Sequence, residues 1–227
     1  MTKLGKNGFR VVTPDTDLVI EGFPRSGNSY VEAAFRASQK TDIRLAHHTH
    51  AAANVLRAVQ LDKPCYVLIR SPEDACISLV IQEPSVQDLE LALSEYERFH
   101  RGISCVADQI CLVPFEIATQ NFNAGIGHLN ARYGTRFALL SEDIDRNRIM
   151  AQVDAISRQR NTVKDGVEPY SPYATDDVRQ ARKAEQERLK NRLQEPALAK
   201  RLDRCTAIYR QLLPKSGLYE LMQDTAA

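Results

Sequence analysis

The sequence predicts an α/β fold: a parallel β-sheet flanked by helices, with a mainly helical C-terminal half. Three observations carry this expectation. Short apolar runs alternate with helical periodicities through the first half of the chain. The run Cys65-Tyr66-Val67-Leu68-Ile69 is apolar without interruption, as a parallel strand covered on both faces requires. From residue 117 onward the pattern is helical and densely charged.

Taken in order, residues 1–16 read as a loose leader, and Asp17–Glu21 as a first strand with an apolar centre. Gly22–Gly27 is a turn punctuated by Gly and Pro. From Asn28 to about Ser38 the spacing predicts a helix, with Tyr30, Val31, Ala34 and Phe35 on one face. Asp42–Thr49 reads as a second strand and Ala51–Gln60 as an alanine-rich helix stopped by Lys63-Pro64. Cys65–Ile69 is a third strand ending at Arg70. Ser71-Pro72-Glu73-Asp74 then has the makings of a helix start: a capping hydroxyl, a proline suited to the first position, and acids at the positive end of the dipole. Val86–Ala107 reads as a further helix and 110–116 as a fourth strand, followed by helices near 117–132, 142–160, 174–194 and 197–213. Val163–Tyr173, with Gly and two Pro, reads as a long loop.

A length of 227 residues suits one domain over 1–227, with 17–116 as the α/β core and 117–227 completing the fold. The formal net charge of +1 argues against a general nucleic-acid or anionic-membrane binder, yet permits a local cationic pocket. No apolar stretch approaches the roughly 20 residues that span a bilayer. The start of the chain lacks an apolar signal core, so a cytoplasmic protein is expected. The 5 cysteines show no C-x-x-C spacing, and are expected to be small buried hydrophobes rather than zinc ligands or disulfides.

The strongest local signal is Gly22-Phe23-Pro24-Arg25-Ser26-Gly27-Asn28-Ser29, between a predicted strand and a predicted helix. A helix start presents backbone N–H groups and a positive dipole end, which together suit a phosphate or sulfate. The spacing is that of a Walker A loop, but Asn28 stands where the lysine would be. The basic residue lies inside the loop instead, at Arg25, whose guanidinium can fork onto two anion oxygens. A plain structural Gly-Pro turn is the alternative. Arg70 ends a buried strand, at the edge where open parallel sheets bind ligands, and Ser78 follows it on a helix. Together they could hold a second phosphate, or equally be an arginine paired with Glu73 or Asp74 and a solvent-facing serine.

Gly22–Tyr30 resembles the 5′-phosphosulfate loop of the sulfotransferases, whose common form is P-[KR]-S-G-[TN]-[TS]-[WY]. Ile69-Arg70-Ser71-Pro72-Glu73-Asp74-Ala75-Cys76-Ile77-Ser78-Leu79 is similar to that family's 3′-phosphate motif, R-[ND]-P-x-D-x-x-x-S. The resemblance covers residues 17–80, with looser agreement at Val113–Glu116, where Glu116 stands for an acid that often ends a strand. It implies a P-loop-type three-layer sandwich. It also implies 3′-phosphoadenosine 5′-phosphosulfate as sulfate donor, with Arg25, Ser26, Gly27, Asn28, Ser29 and Tyr30 at the 5′ end and Arg70 and Ser78 at the 3′-phosphate. No metal is implied.

His47-His48-Thr49-His50 lies between the two motifs. Three imidazoles so close could hold a metal, with His48 and His50 on one face of a strand, but no carboxylate or thiol completes a set nearby in sequence. A polar strand end is the structural alternative. The resemblance gives the cluster a different role. His48-Thr49-His50 is similar to the family's K-T-H element, which makes His50 the general base and puts His48 in place of the lysine. Imidazole can take a proton near neutral pH, as removal of the acceptor's proton requires. The implied reaction is an in-line sulfuryl transfer to an unidentified hydroxyl or amine acceptor. The family's R-K-G segment is missing, and Arg179, Arg182 and Lys183 are the candidates to replace it. A P-loop kinase or hydrolase, which would need the missing lysine, and a non-catalytic nucleotide-binding relative are the competing readings.

Overall fold

The computed structural model describes residues 10–83, 88–159 and 174–224. The apolar runs Leu18–Gly22 (β1), Leu45–His47 (β2), Cys65–Ile69 (β3) and Cys111–Pro114 (β4) form one parallel sheet in the order β2-β1-β3-β4. Every position in these strands is buried, so both faces of the sheet must be covered. Alternate side chains serve the two faces. Val19, Val67, Ile69 and Leu112 join one apolar cluster, and Leu18, Ile20, Tyr66, Leu68 and Val113 the other.

The first cluster is closed by Ala52–Gln60 (α2), Pro72–Gln82 (α3), Leu89–Ser104 (α4), Asp176–Arg192 (α8) and Pro196–Leu212 (α9). The second is closed by Asn28–Ser38 (α1), Phe115–Gln120 (α5), Phe122–Tyr133 (α6) and Arg146–Gln159 (α7). The result is the expected α/β architecture, a parallel sheet between two helical layers. The last helix, Tyr219–Asp224 (α10), has no counterpart among the expected elements. Among the described residues no helix is long and apolar enough to cross a membrane.

Several boundaries differ from the sequence reading, each for a local reason. β2 begins at Leu45 rather than Asp42, and it ends at His47 because His48 turns left-handed (φ 56°) and leaves the ladder. The helix expected over 117–132 is two helices. Asn121 (φ −137°, ψ 58°) leaves the helical region, and its side chain accepts a bond from the Ala124 N–H, capping α6. The helix expected over Val86–Ala107 runs from Leu89 to Ser104, capped by Asp88, and a 3₁₀ turn occupies Ala107–Gln109. The loop expected over 163–173 lies outside the described residues. Four cysteines are buried as expected, while Cys105 is exposed.

Register sets the position of the site. Gly22 pairs with Leu68 and Ile69 with Pro114, so the segments that follow β1, β3 and β4 leave the sheet on one rim. The chain steps from β1 to β2 on one side and builds β3 and β4 on the other. The gap between the ends of β1 and β3 is therefore the topological switch point, where ligands of open α/β sheets bind.

Candidate anion-binding and transfer site

The loop between β1 and α1 is held from below. The Asn28 side chain is buried and donates through Nδ2 to the Phe23 carbonyl at 3.1 Å, and the Ser26 N–H donates to the same oxygen at 3.2 Å. Asn28 thus ties the loop to its own base, and what it can offer an anion is its backbone N–H. Gly27 is the N-cap residue of α1 at φ 94°, a conformation that suits glycine, and it makes no side-chain cap bond. The first N–H groups of α1 are left available to an anion. Ser26 is fully buried, and its hydroxyl has no hydrogen-bond partner among the described residues. Gly22 is needed for close approach, since a Cβ there would lie 2.9 Å from both Cβ and the carbonyl oxygen of Leu68.

Arg25 and Arg70 sit side by side. Arg70 follows β3 and donates through Nη1 to the Arg25 carbonyl at 2.8 Å. Its guanidinium lies over the Phe115 ring, 4.1 Å from the centroid, and its own carbonyl accepts a bond from the Tyr96 hydroxyl at 2.7 Å. Phe115 also packs under the loop, with a ring carbon 3.2 Å from where a Gly27 Cβ would be. Arg25, held at φ 65°, donates through Nε to Ser78 Oγ at 3.1 Å. Arg182 of α8, buried, donates through Nη2 to the same oxygen at 3.1 Å. Two charged donors from opposite ends of the chain converge on one hydroxyl, with Arg70 adjoining. Of the three C-terminal candidates, Arg182 is the one brought to this cluster. Lys183 is exposed, and Arg179 pairs with Asp176 at 2.9 Å.

The histidine turn follows β2 on the same rim. A buried carboxylate, Glu21, organises it. Glu21 accepts from the Thr49 N–H (2.9 Å), the Thr49 hydroxyl (2.7 Å), the His50 N–H (3.0 Å) and Asn54 Nδ2 (2.9 Å). His50 Nδ1 lies 2.8 Å from the Gly22 carbonyl. A carbonyl only accepts, so Nδ1 carries the proton and, in the neutral ring, Nε2 keeps its lone pair. His48 turns back toward α1, with Nε2 3.0 Å from the Ser29 hydroxyl. Tyr30 is partly buried, which pushes its hydroxyl up from its ordinary pKa, while Arg146 near its ring acts in the opposite direction. Glu116 lies in the first turn of α5, within the field of Arg70. Burial raises its carboxyl and Arg70 counters the rise.

Glu21, Phe115 and Tyr96 join the site although the sequence reading does not single them out. Glu21 carries a signal, a lone acid closing an otherwise apolar strand immediately before the glycine loop. Phe115 and Tyr96 carry none, since aromatic side chains at core spacing are common.

No family model matches the chain, and no curated protein matches it. Among solved structures, the chain is similar to a mouse sulfotransferase, SULT7A1, complexed with PAP, at 12% sequence identity and a TM-score of 0.44, covering 88% of this chain and 91% of that one.

Proposed function

We propose that the chain binds 3′-phosphoadenosine 5′-phosphosulfate across the switch point and transfers its sulfuryl group to a hydroxyl or amine acceptor. The observation that carries this reading is the meeting of Arg25 and Arg182 at the Ser78 hydroxyl, with Arg70 bonded to the Arg25 carbonyl, beside a helix start with no capping side chain. A ligand with one anionic group would need only the loop. A second cluster of guanidinium donors one strand away suits a ligand with a second phosphate. The nucleoside triphosphate reading lacks support at Asn28, where the side chain bonds the Phe23 carbonyl and supplies no cation.

In this reading the N–H groups of α1, the buried Ser26 hydroxyl and Ser29 hold the 5′-phosphosulfate. Arg70, Ser78 and Arg182 hold the 3′-phosphate, and Arg25 lies between the two ends. The acceptor oxygen or nitrogen attacks sulfur, and the bond from sulfur to the bridging phosphate oxygen breaks. The electron pair leaves with the adenosine bisphosphate, and the acceptor's proton passes to His50 Nε2. Arg25 and the helix dipole stabilise the charge that grows on the leaving phosphate. Glu21 and the Gly22 carbonyl fix the imidazole, so the protein's contribution is position and charge.

Titration calorimetry tests the binding half. Adenosine 3′,5′-bisphosphate is expected to bind at least about tenfold more tightly than adenosine 5′-monophosphate, since a hydrogen bond to a charged group is worth roughly 1.5–3 kcal/mol. Equal affinity for the two, or tight binding of ATP–magnesium alone, would sink the reading. Release of bisphosphate from labelled sulfate donor in the presence of an acceptor mixture tests the transfer.

A further inference from the structure

The sequence offers no carboxylate near His47 and His48, but the fold brings one. Glu32, on the second turn of α1, aims Oε2 at both rings, 3.3 Å from His47 Nδ1 and 3.4 Å from His48 Nδ1. The two Nδ1 atoms are themselves 2.9 Å apart. Neighbouring residues of a strand point to opposite faces, so two such rings should not meet. They meet because His48 is held at φ 56°, a left-handed conformation disfavoured by roughly 1–2 kcal/mol, which swings its ring to the side of His47.

We propose that Glu32, His47 and His48 form a binding site for a divalent first-row transition metal of the zinc class. The distances fit that chemistry. With bonds of about 2.0–2.1 Å, two ligand atoms lie about 2.9 Å apart at a right angle and about 3.4 Å apart at the tetrahedral angle. All three separations fall within that range. Two imidazoles and one carboxylate form a set suited to zinc, cobalt or iron(II) and leave further positions for solvent. The outer contacts fit as well. Arg36 Nε donates to the remaining carboxylate oxygen of Glu32 at 3.1 Å. With Nδ1 on the ion, His48 carries its proton on Nε2 and donates to Ser29 Oγ at 3.0 Å. The three side chains are 4–8% exposed, so the donor atoms are shielded from bulk solvent, and the ion's role is to fix the turn and, through Ser29, the first turn of α1.

The site rests on no step of the transfer reading, and metal uptake without nucleotide reads it out. The full-length chain is stripped with a chelator and titrated with cobalt(II). One equivalent per chain binds, with the visible d–d absorption of a nitrogen–oxygen set, and zinc(II) displaces it. Losing an outer-shell partner alone costs about 10–100-fold in metal affinity, so His47→Gln and Glu32→Gln each weaken zinc by at least as much, while His50→Ala leaves uptake intact. Should Glu32→Gln fail to fold, the wild-type titration and His47→Gln still decide. The proposal is overturned if the wild-type chain takes up no stoichiometric cobalt. It is equally overturned if His47→Gln binds as the wild type does, with the thiolate charge-transfer band of capture by the exposed Cys105.

Discussion

His50 and Arg182 illustrate what a single side chain can be asked to do in this protein. His50 is oriented through Nδ1 by the carbonyl of Gly22, at the first residue of the loop, while Asn28 and Ser26 hold the turn itself through the Phe23 carbonyl. His50→Ala is therefore expected to abolish turnover of labelled sulfate donor while leaving the affinity for adenosine 3′,5′-bisphosphate within about threefold. A large loss of that affinity would show the ring to be structural. Arg182 and Lys183 are neighbours in sequence with different surroundings, one buried on Ser78 and the other exposed. Arg182→Ala is expected to weaken bisphosphate binding by about 10–100-fold, the worth of a charged hydrogen bond, and Lys183→Ala to leave it within about twofold. Calorimetry on the two variants separates these outcomes. Arg25, Arg70 and Ser78 are legible in the sequence because each lies in a short motif at a strand-to-helix junction. Arg182 can be named only among three candidates, because its partner is 104 positions away and separation of that kind leaves no local trace. Glu32 is invisible as a partner of the histidines for the same reason. It occupies a helix position where an acid followed four residues later by Arg36 reads as a surface pair.

The elements that present these residues are legible where local chemistry decides them. The start of α1 follows from glycine and the polar turn, and the start of α3 from Ser71, Pro72 and the acids, with Ser71 Oγ accepting from the Asp74 N–H. The elements that depart from expectation are those whose ends are set by tertiary contacts. β2 stops where the bonds from Thr49 and His50 to Glu21 pull the chain out of the ladder. The break at Asn121 is a cap that propensity alone does not reveal. Loop geometry makes a prediction of its own. Gly22→Ala drives a Cβ against the Leu68 backbone and side chain, neither of which is a flexible tip. A loss of about 1–3 kcal/mol in urea unfolding is expected, with bisphosphate binding weakened because the loop must shift. A variant as stable as the wild type would mean that β1 and β3 can separate locally.

Across the whole molecule, the α/β class and the two helical layers are legible because continuous apolar strands demand cover on both faces. The helical C-terminal half is legible as helix, though not in where its helices dock. An acid-side dependence of global stability is expected from His100. The ring is fully buried, stacked on Tyr96 at 3.8 Å, and desolvation lowers its pKa to about 4 from 6.5. Between those values the unfolded chain binds a proton that the folded chain refuses, so stability falls as pH drops through this window. The full difference is roughly 3 kcal/mol. His100→Phe is expected to flatten the dependence of the urea midpoint on pH between about 6.5 and 4, and an unchanged slope would place the effect elsewhere.

The hydroxyl of Ser78 is where an early loop and a late helix shake hands. An occupant at the sheet rim would hence be sensed far along the polypeptide. Deuterium uptake by the amides of α8 should slow on adding adenosine 3′,5′-bisphosphate. Arg182→Ala removes that second clasp alone, and the slowing in α8 should then be lost.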